Sequence, residues 1–316
     1  MKIIYITGCL GFIGSAFTKR CLDLGWFVHG IDKETYAANI HLLSQLNEYK
    51  NFKYEKADIQ KLKFIEDCDF FINFAAESHV QNSIFSSDQF IESNILGVKN
   101  LLNLIKSKPK NSVDRPTFIQ ISTDEVYGDL DKGYHTETDL LKPSNPYSAS
   151  KASADLLIKA WSRTYGIDYL IVRPTNNYGL NQFPEKLIPL TVKNLLREKK
   201  IKLHDKGEPI RNWLHVEDTV DALLTLIEKG EKNQIYNVSG SFEQKNIDTV
   251  KKIIDAFFQR NTNYKKYIDI NFHREGQDVR YAIDDKKLRK LNWLPKKIFD
   301  KEIDIIVKSY KQNSRW

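Results

Sequence analysis

Along the first half of the chain, short runs of β-branched and aromatic residues alternate with longer stretches whose apolar positions recur every three or four residues. Ile3 to Thr7, Trp26 to Asp32, Phe52 to Lys56, Phe70 to Ala75, Thr117 to Ser122 and Tyr169 to Val172 read as strands, several of them apolar on both faces. Between them, about 12–24, 88–107 and 147–165 read as helices, the first ended by Gly25 and the last by Gly166. Strands alternating with helices and buried on both faces imply a parallel α/β sheet covered on each side. After Pro174 the rhythm loosens into helices near 184–198, 217–229 and 246–260, and substrate specificity is expected there. In 147–165 the small residues Ser148, Ala149, Ser150, Ala152, Ser153 and Ala154 widen the apolar face beyond one stripe. That helix is expected to be covered twice, by the sheet and by a second surface such as a partner subunit.

Composition narrows the class. A chain of 316 residues with 41% hydrophobic and 28% charged residues is an ordinary globular chain, not a disordered or fibrous one. No apolar run approaches the ~18 residues of a membrane span. The opening run Ile3 to Ile6 is soon interrupted by Gly8, Gly11 and Gly14, and reads as a strand, not a signal peptide. Cys9, Cys21 and Cys68 are too few and too crowded for a disulfide framework and fit a reducing cytoplasm. The net charge of +7 comes with scattered lysines, which describes a solvated surface and no nucleic-acid partner. The seven histidines show no ligand spacing, so no metal site is expected.

Gly8-Cys9-Leu10-Gly11-Phe12-Ile13-Gly14 sits between the first strand and the first helix, and Asp32 ends the second strand. That order is the dinucleotide fingerprint of a Rossmann-type doubly wound sheet. The glycines admit a pyrophosphate to the backbone, and Asp32 is placed to accept the adenosine ribose hydroxyls. Its charge repels a 2′-phosphate, so NAD is favoured over NADP, with Lys33 beside it. Three further pieces follow at strand ends or helix starts: Ser122-Thr123-Asp124-Glu125, Tyr147 to Lys151, and Asn176-Asn177-Tyr178-Gly179. Tyr147 and Lys151 share a helix face, where an ammonium favours the phenolate and makes tyrosine a usable base. The same spacing at Tyr49 and Lys53 precedes the strands of the site and is read as surface. Asp124 and Glu125 reach one substrate only if the chain turns there, since neighbours on a strand face opposite ways.

Gly8 to Gly14, DKETYA from Asp32, AAESHV from Ala75, STDEVYG from Ser122, NPYSASK from Asn145, NNYG from Asn176, FPEKLIP from Phe183 and RNWLHVED from Arg211 resemble the extended short-chain dehydrogenase/reductases. With KNID at Lys245 and RYAID at Arg280, the chain more narrowly resembles the dTDP-glucose 4,6-dehydratases over nearly its whole length. The Thr-Asp-Glu triplet is the specific element. The resemblance implies a Rossmann-type NAD-binding domain, 1–172 with about 213–240 returning to it. It also implies a smaller C-terminal α/β domain for the nucleotide sugar, about 173–212 and 241–316. It implies that Tyr147 takes the 4-hydroxyl proton while C4 gives hydride to NAD, and that Thr123 hydrogen-bonds the 4-oxygen. Glu125 then takes the C5 proton, protonated Asp124 gives its proton to the departing 6-hydroxyl, and hydride returns to C6.

Position by position, the resemblance implies cofactor contacts at Gly8, Gly11, Phe12, Ile13, Gly14, Asp32, Lys33, Thr35, Asp58, Ile59, Ala75, Ala76, Glu77, Asn94, Tyr147, Lys151 and Asn177. It implies contacts to the nucleoside-diphosphate sugar at Thr123, Asn176, Lys186, Leu187, Arg211, Asn246 and Arg274. It also implies a homodimer through the helices near 88–107 and 147–165. His273-Arg274-Glu275-Gly276-Gln277-Asp278 departs from the family's usual Arg-Pro-Gly-His-Asp, which leaves uracil as the alternative to thymine. An NAD-dependent epimerase or decarboxylase, and an NAD-binding fold without catalysis, remain the competing readings.

Overall fold

A computed structural model describes residues 1–109, 115–260, 262–272 and 278–312. The apolar runs of the first half form β1 (Ile3–Thr7), β2 (Phe27–Asp32), β3 (Phe52–Lys56), β4 (Phe70–Asn73), β5 (Thr117–Ile121) and β6 (Tyr169–Pro174). The second half adds β7 (Asn176–Tyr178), β8 (Ile201–His204), β9 (Ile210–His215), β10 (Gln234–Val238), β11 (Glu243–Lys245) and β12 (Ile268–Phe272). Seven strands make one parallel sheet in the order β10-β6-β5-β4-β1-β2-β3. The chain winds outward from β1 through β2 and β3, then restarts at β4 on the other side of β1. Ligands bind outside the carboxyl ends of strands at such a reversal, and Gly8 follows β1 directly there.

Alternation along each strand feeds two cores. Ile4, Ile6, Ile72, Ile119 and Val172 face Phe17 of helix Phe12–Asp23 and Leu223 of helix Val216–Lys229. Tyr5, Phe71, Phe118 and Ile171 face Leu101 of helix Val98–Ser107 and Ile158 of helix Pro146–Tyr165. A third core joins Val192, Trp213, Ile253, Phe299 and Ile306, beside a three-stranded sheet in the order β11-β9-β7. Its last member, helix Phe299–Gln312, lies beyond the helices that the sequence pattern predicted.

The predicted helix over 88–107 is not uniform. A short turn, Asp88–Phe90, runs into a π-helical stretch, Ile91–Gly97, before helix Val98–Ser107. The wide turn carries Asn94 inward, where its side chain accepts from Glu77 N at 2.9 Å and donates to Glu77 O and Ser150 Oγ at 3.0 and 2.9 Å. Those bonds hold the segment after β4 against helix Pro146–Tyr165, which a regular helix in this register would not do.

Helix Pro146–Tyr165 starts and stops sharply. The Asn145 side chain accepts from Ser148 N at 2.9 Å, the Ser148 hydroxyl accepts from Asn145 N at 3.2 Å, and Pro146 occupies the first position. Gly166 closes the far end with φ at 67°. Because Tyr147 stands in the first turn, this cap also places it. Asn145→Ala is expected to cost about 1 kcal/mol of stability, measured as a lower urea midpoint with an unchanged slope.

Candidate active site

The turn after β1 is packed against the end of β4. Gly8 has φ at +70°, and a Cβ there would lie 2.7 Å from Ala75 N. A Cβ at Gly14 would fall 2.1 Å from Gly8 O. Gly11 differs, since its Cβ would meet only Gly8 O, at 3.2 Å, on the wall of a cavity. The helix that follows receives no side-chain cap, which leaves its positive end for an anion. Asp32 is buried beside it. One carboxylate oxygen accepts from Leu10 N at 3.0 Å and the other from Glu34 N at 2.8 Å. Each oxygen retains a lone pair for a ribose hydroxyl. An open glycine wall, an uncapped helix start and a buried acceptor fit a dinucleotide.

The same cavity continues to the carboxyl ends of β5 and β6. Phe12, Ile13, Lys33 and Thr35 line its first part, with Ile59, Ala75, Ala76 and Glu77. Thr123, Asp124, Glu125, Tyr147 and Lys151 line the other part, with Asn176, Asn177 and Lys186. The turn required of the acidic pair is present: Asp124–Tyr127 is a single 3₁₀ turn. The Thr123 hydroxyl accepts from Glu125 N at 3.3 Å and donates to Asp124 Oδ1 at 3.2 Å. Asp124 is 2% exposed, and its Oδ2 has no hydrogen-bond partner among the described residues.

Five of the expected residues stand off this wall. Asp58 lies 3.9 Å from Lys33 Nζ, Asn94 is the buried brace described above, and Leu187 opens helix Leu187–Leu196. Arg211 donates to the carbonyls of Ile210 and Asp278 and stacks 4.6 Å from the Tyr281 ring centre. Asn246 opens helix Asn246–Phe258 with its Oδ1 buried and unpartnered. Arg274 and the rest of 273–277 lie outside the described residues. Tyr49 and Lys53 are spent elsewhere, on Asp23 and Glu66, both at 2.5 Å. The RYAID run includes Tyr281 but gave it no site role; its hydroxyl reaches Glu125 Oε2 at 3.2 Å from 156 residues away.

Residues 5–306 match the family described as GDP-mannose 4,6 dehydratase. The chain is 39% identical over 344 aligned residues to dTDP-glucose 4,6-dehydratase 1 of Escherichia coli strain K12, covering 100% of this chain and 94% of that one. The chain belongs to the dTDP-glucose 4,6-dehydratase family. A dTDP-glucose 4,6-dehydratase of Streptomyces venezuelae, solved with NAD bound, superposes with a TM-score of 0.90 at 32% identity, covering 99% of this chain and 98% of that one. UDP-glucuronic acid 4-epimerase of Bacillus cereus shares the fold with a TM-score of 0.90 at 21% identity, over 98% of this chain and 99% of that one.

Within this dehydratase-family site, burial dominates the electrostatics. It raises the Asp124 carboxyl to about 8, helped by the neighbouring Glu125 charge. Glu125 is also raised by burial, but the Arg211 guanidinium opposes that rise. Asp124 is therefore protonated at neutral pH. The expected lowering of the Tyr147 pKa by Lys151 is not found. Burial and the Glu125 charge push that phenol up, and only the Thr123 hydroxyl pulls it down. Lys151 instead donates to Ile121 O at 2.6 Å, and burial lowers its own pKa to about 8 against the pull of Asp155.

Between about pH 4 and pH 8 the folded chain holds the Asp124 proton that the unfolded chain has released. Stability from this group therefore falls as pH rises through that window. Asp124→Asn is expected to raise Tm by about 2–4 °C at pH 7.5, with the gain shrinking towards pH 5, as read by calorimetry across pH.

Proposed function

We propose that this chain is an NAD-dependent hydro-lyase that converts dTDP-glucose to dTDP-4-keto-6-deoxyglucose and water. The observation that carries the reading is the 3₁₀ turn that sets two adjacent carboxyls, Asp124 protonated at neutral pH, on the wall of one cavity with Tyr147. The relatives named dTDP-glucose 4,6-dehydratase and the NAD-bound structure support it. Gly11, the start of helix Phe12–Asp23 and Asp32 would hold NAD. When bound, NAD supplies a hydride acceptor for C4 and a hydride donor for C6.

The chain's own residues divide the proton work. Tyr147 takes the proton of the 4-hydroxyl, and Thr123 donates to the 4-oxygen. A ketone at C4 acidifies the C5 proton, which Glu125 removes. Asp124, still protonated at neutral pH, gives its proton to the departing 6-hydroxyl so that water leaves. Lys186, which lines the cavity, and Arg211 would serve as counter-charges for the diphosphate, with Asn176, Leu187, Asn246 and Arg274 completing that set. In this reading 1–172 with about 213–240 serves NAD, and about 173–212 with 241–316 serves the nucleotide sugar. The three buried free thiols support a reducing, cytoplasmic setting.

The active unit in this proposal is a homodimer. Leu156 is 57% exposed on helix Pro146–Tyr165, and Trp161 of the same helix donates to Asn103 on helix Val98–Ser107 at 3.1 Å. The two helices thus present one joined face, and Leu156→Glu should shift the chain to monomer in sedimentation at micromolar concentration.

The deciding experiment is mass spectrometry of dTDP-glucose incubated with the chain and NAD in heavy water. Loss of one water with gain of one solvent deuteron is expected, and Glu125→Gln should abolish the deuteron exchange at C5. Unchanged mass with altered sugar configuration would overturn the dehydratase reading in favour of an epimerase.

A further inference from the structure

Behind Glu125 the polar groups do not end; they continue away from the cavity. Glu125 Oε2 meets the Tyr281 hydroxyl at 3.2 Å, and that hydroxyl also makes a very short bond to Asp278 Oδ2. The Ser144 hydroxyl donates to the same Asp278 oxygen at 2.5 Å, and Ser144 is exposed to solvent. Tyr281 and Asp278 are each 3% exposed, so the line is covered along its middle and open at its far end. Arg211 stacks on the Tyr281 ring at 4.6 Å and donates to Asp278 O, which fixes both groups in place.

We propose that Tyr281, Asp278 and Ser144 form a proton relay that connects Glu125 to bulk water while substrate fills the cavity. This rests on the assignment of Glu125 as the C5 base. After Glu125 has taken the C5 proton, its carboxyl donates that proton to the Tyr281 oxygen as the phenol passes its own proton to Asp278. The Ser144 hydroxyl, which donates to Asp278 at rest, turns its proton to water, and Asp278 then hands its proton to the Ser144 oxygen as the first one leaves. Glu125 is left as a carboxylate, the three relay groups end as they began, and one proton has entered solvent. The reverse sequence returns a solvent proton to Glu125 for delivery to C5. Every link is an oxygen atom with both a donor and an acceptor role, which such a chain requires. Tyr281 and Asp278 are thus positioning residues that act through Glu125.

The test is a single turnover of dTDP-glucose with excess NAD-loaded enzyme in heavy water, with deuterium at C5 of the product measured by mass spectrometry. Wild type should carry solvent deuterium at C5. Tyr281→Phe should return the substrate's own hydrogen and lower deuterium at C5 several-fold, whatever happens to the rate. A purely structural role would slow turnover and leave the isotope ratio unchanged, and that result overturns the relay. Where Tyr281→Phe does not fold or turn over, Asp278→Asn decides by the same ratio, because an amide accepts the phenol's bond but carries no proton onward. Failure of wild type to lose water from the sugar would overturn the dehydratase reading instead.

Discussion

One buried ion pair holds the catalytic parts in register. Arg173, near the end of β6, meets Asp155 of helix Pro146–Tyr165 through Nη2 at 2.9 Å and Nε at 3.0 Å. The side chains are 2% and 0% exposed. The Ser122 hydroxyl donates to the same carboxylate at 3.0 Å, and Arg173 Nη1 donates to the Tyr127 hydroxyl at 2.7 Å. Tyr127 in turn donates to Asn237 of β10 at 2.8 Å. A single guanidinium thus ties together the helix that carries Tyr147 and Lys151, the end of β5, and the last residue of the acidic turn. Removing one partner would strand the other charge in the interior, a loss of about 3–5 kcal/mol. The pair's value is geometric as well, because Thr123, Asp124, Glu125 and Tyr147 all hang from elements that it joins.

The price of this arrangement is a set of ionisable groups kept where water is scarce. Among the described residues Asp124 leaves one oxygen without a hydrogen-bond partner, and Lys151 has a carbonyl oxygen as its own. Such groups weaken a fold, yet the same dry setting keeps the Asp124 carboxyl protonated at neutral pH and strengthens each interaction with developing charge. Asp124 and Glu125 are chemically near-identical. Burial raises both, and the Arg211 guanidinium opposes the rise in each.

Much of this was legible from residue order. The first six strands fall within a residue or two of their apolar runs, because a parallel sheet buried on both faces leaves a pattern that needs no partner to be read. The fingerprint and the Thr-Asp-Glu triplet were legible for a different reason, since each packs its chemistry into consecutive residues. What stayed hidden was long-range. β7 and β11 are short and take their register from β9, and β11 pairs with it through Glu243, Gln244 and Lys245, a polar run with no strand signature. Helix Phe299–Gln312 has its buried positions at Phe299, Ile303, Ile306, Val307 and Tyr310, but charged residues interrupt them. Tyr281 stood in the RYAID run with no role attached, because its contact arises only when the chain folds back over 156 positions onto Glu125.

The double attachment of Asp32 bears on how readily this lineage can change its cofactor. Exchange of that acid for a neutral or basic residue is the obvious first step towards accepting an extra phosphate on the ribose. Here the same carboxylate receives Leu10 N from inside the glycine turn and Glu34 N from the loop that follows β2. With Asp32 as the proposed ribose acceptor, selectivity and scaffold meet in one side chain. A single substitution would loosen the turn at the moment it relaxed the preference, so the route to a different dinucleotide passes through compensating changes around residues 10 and 34 first.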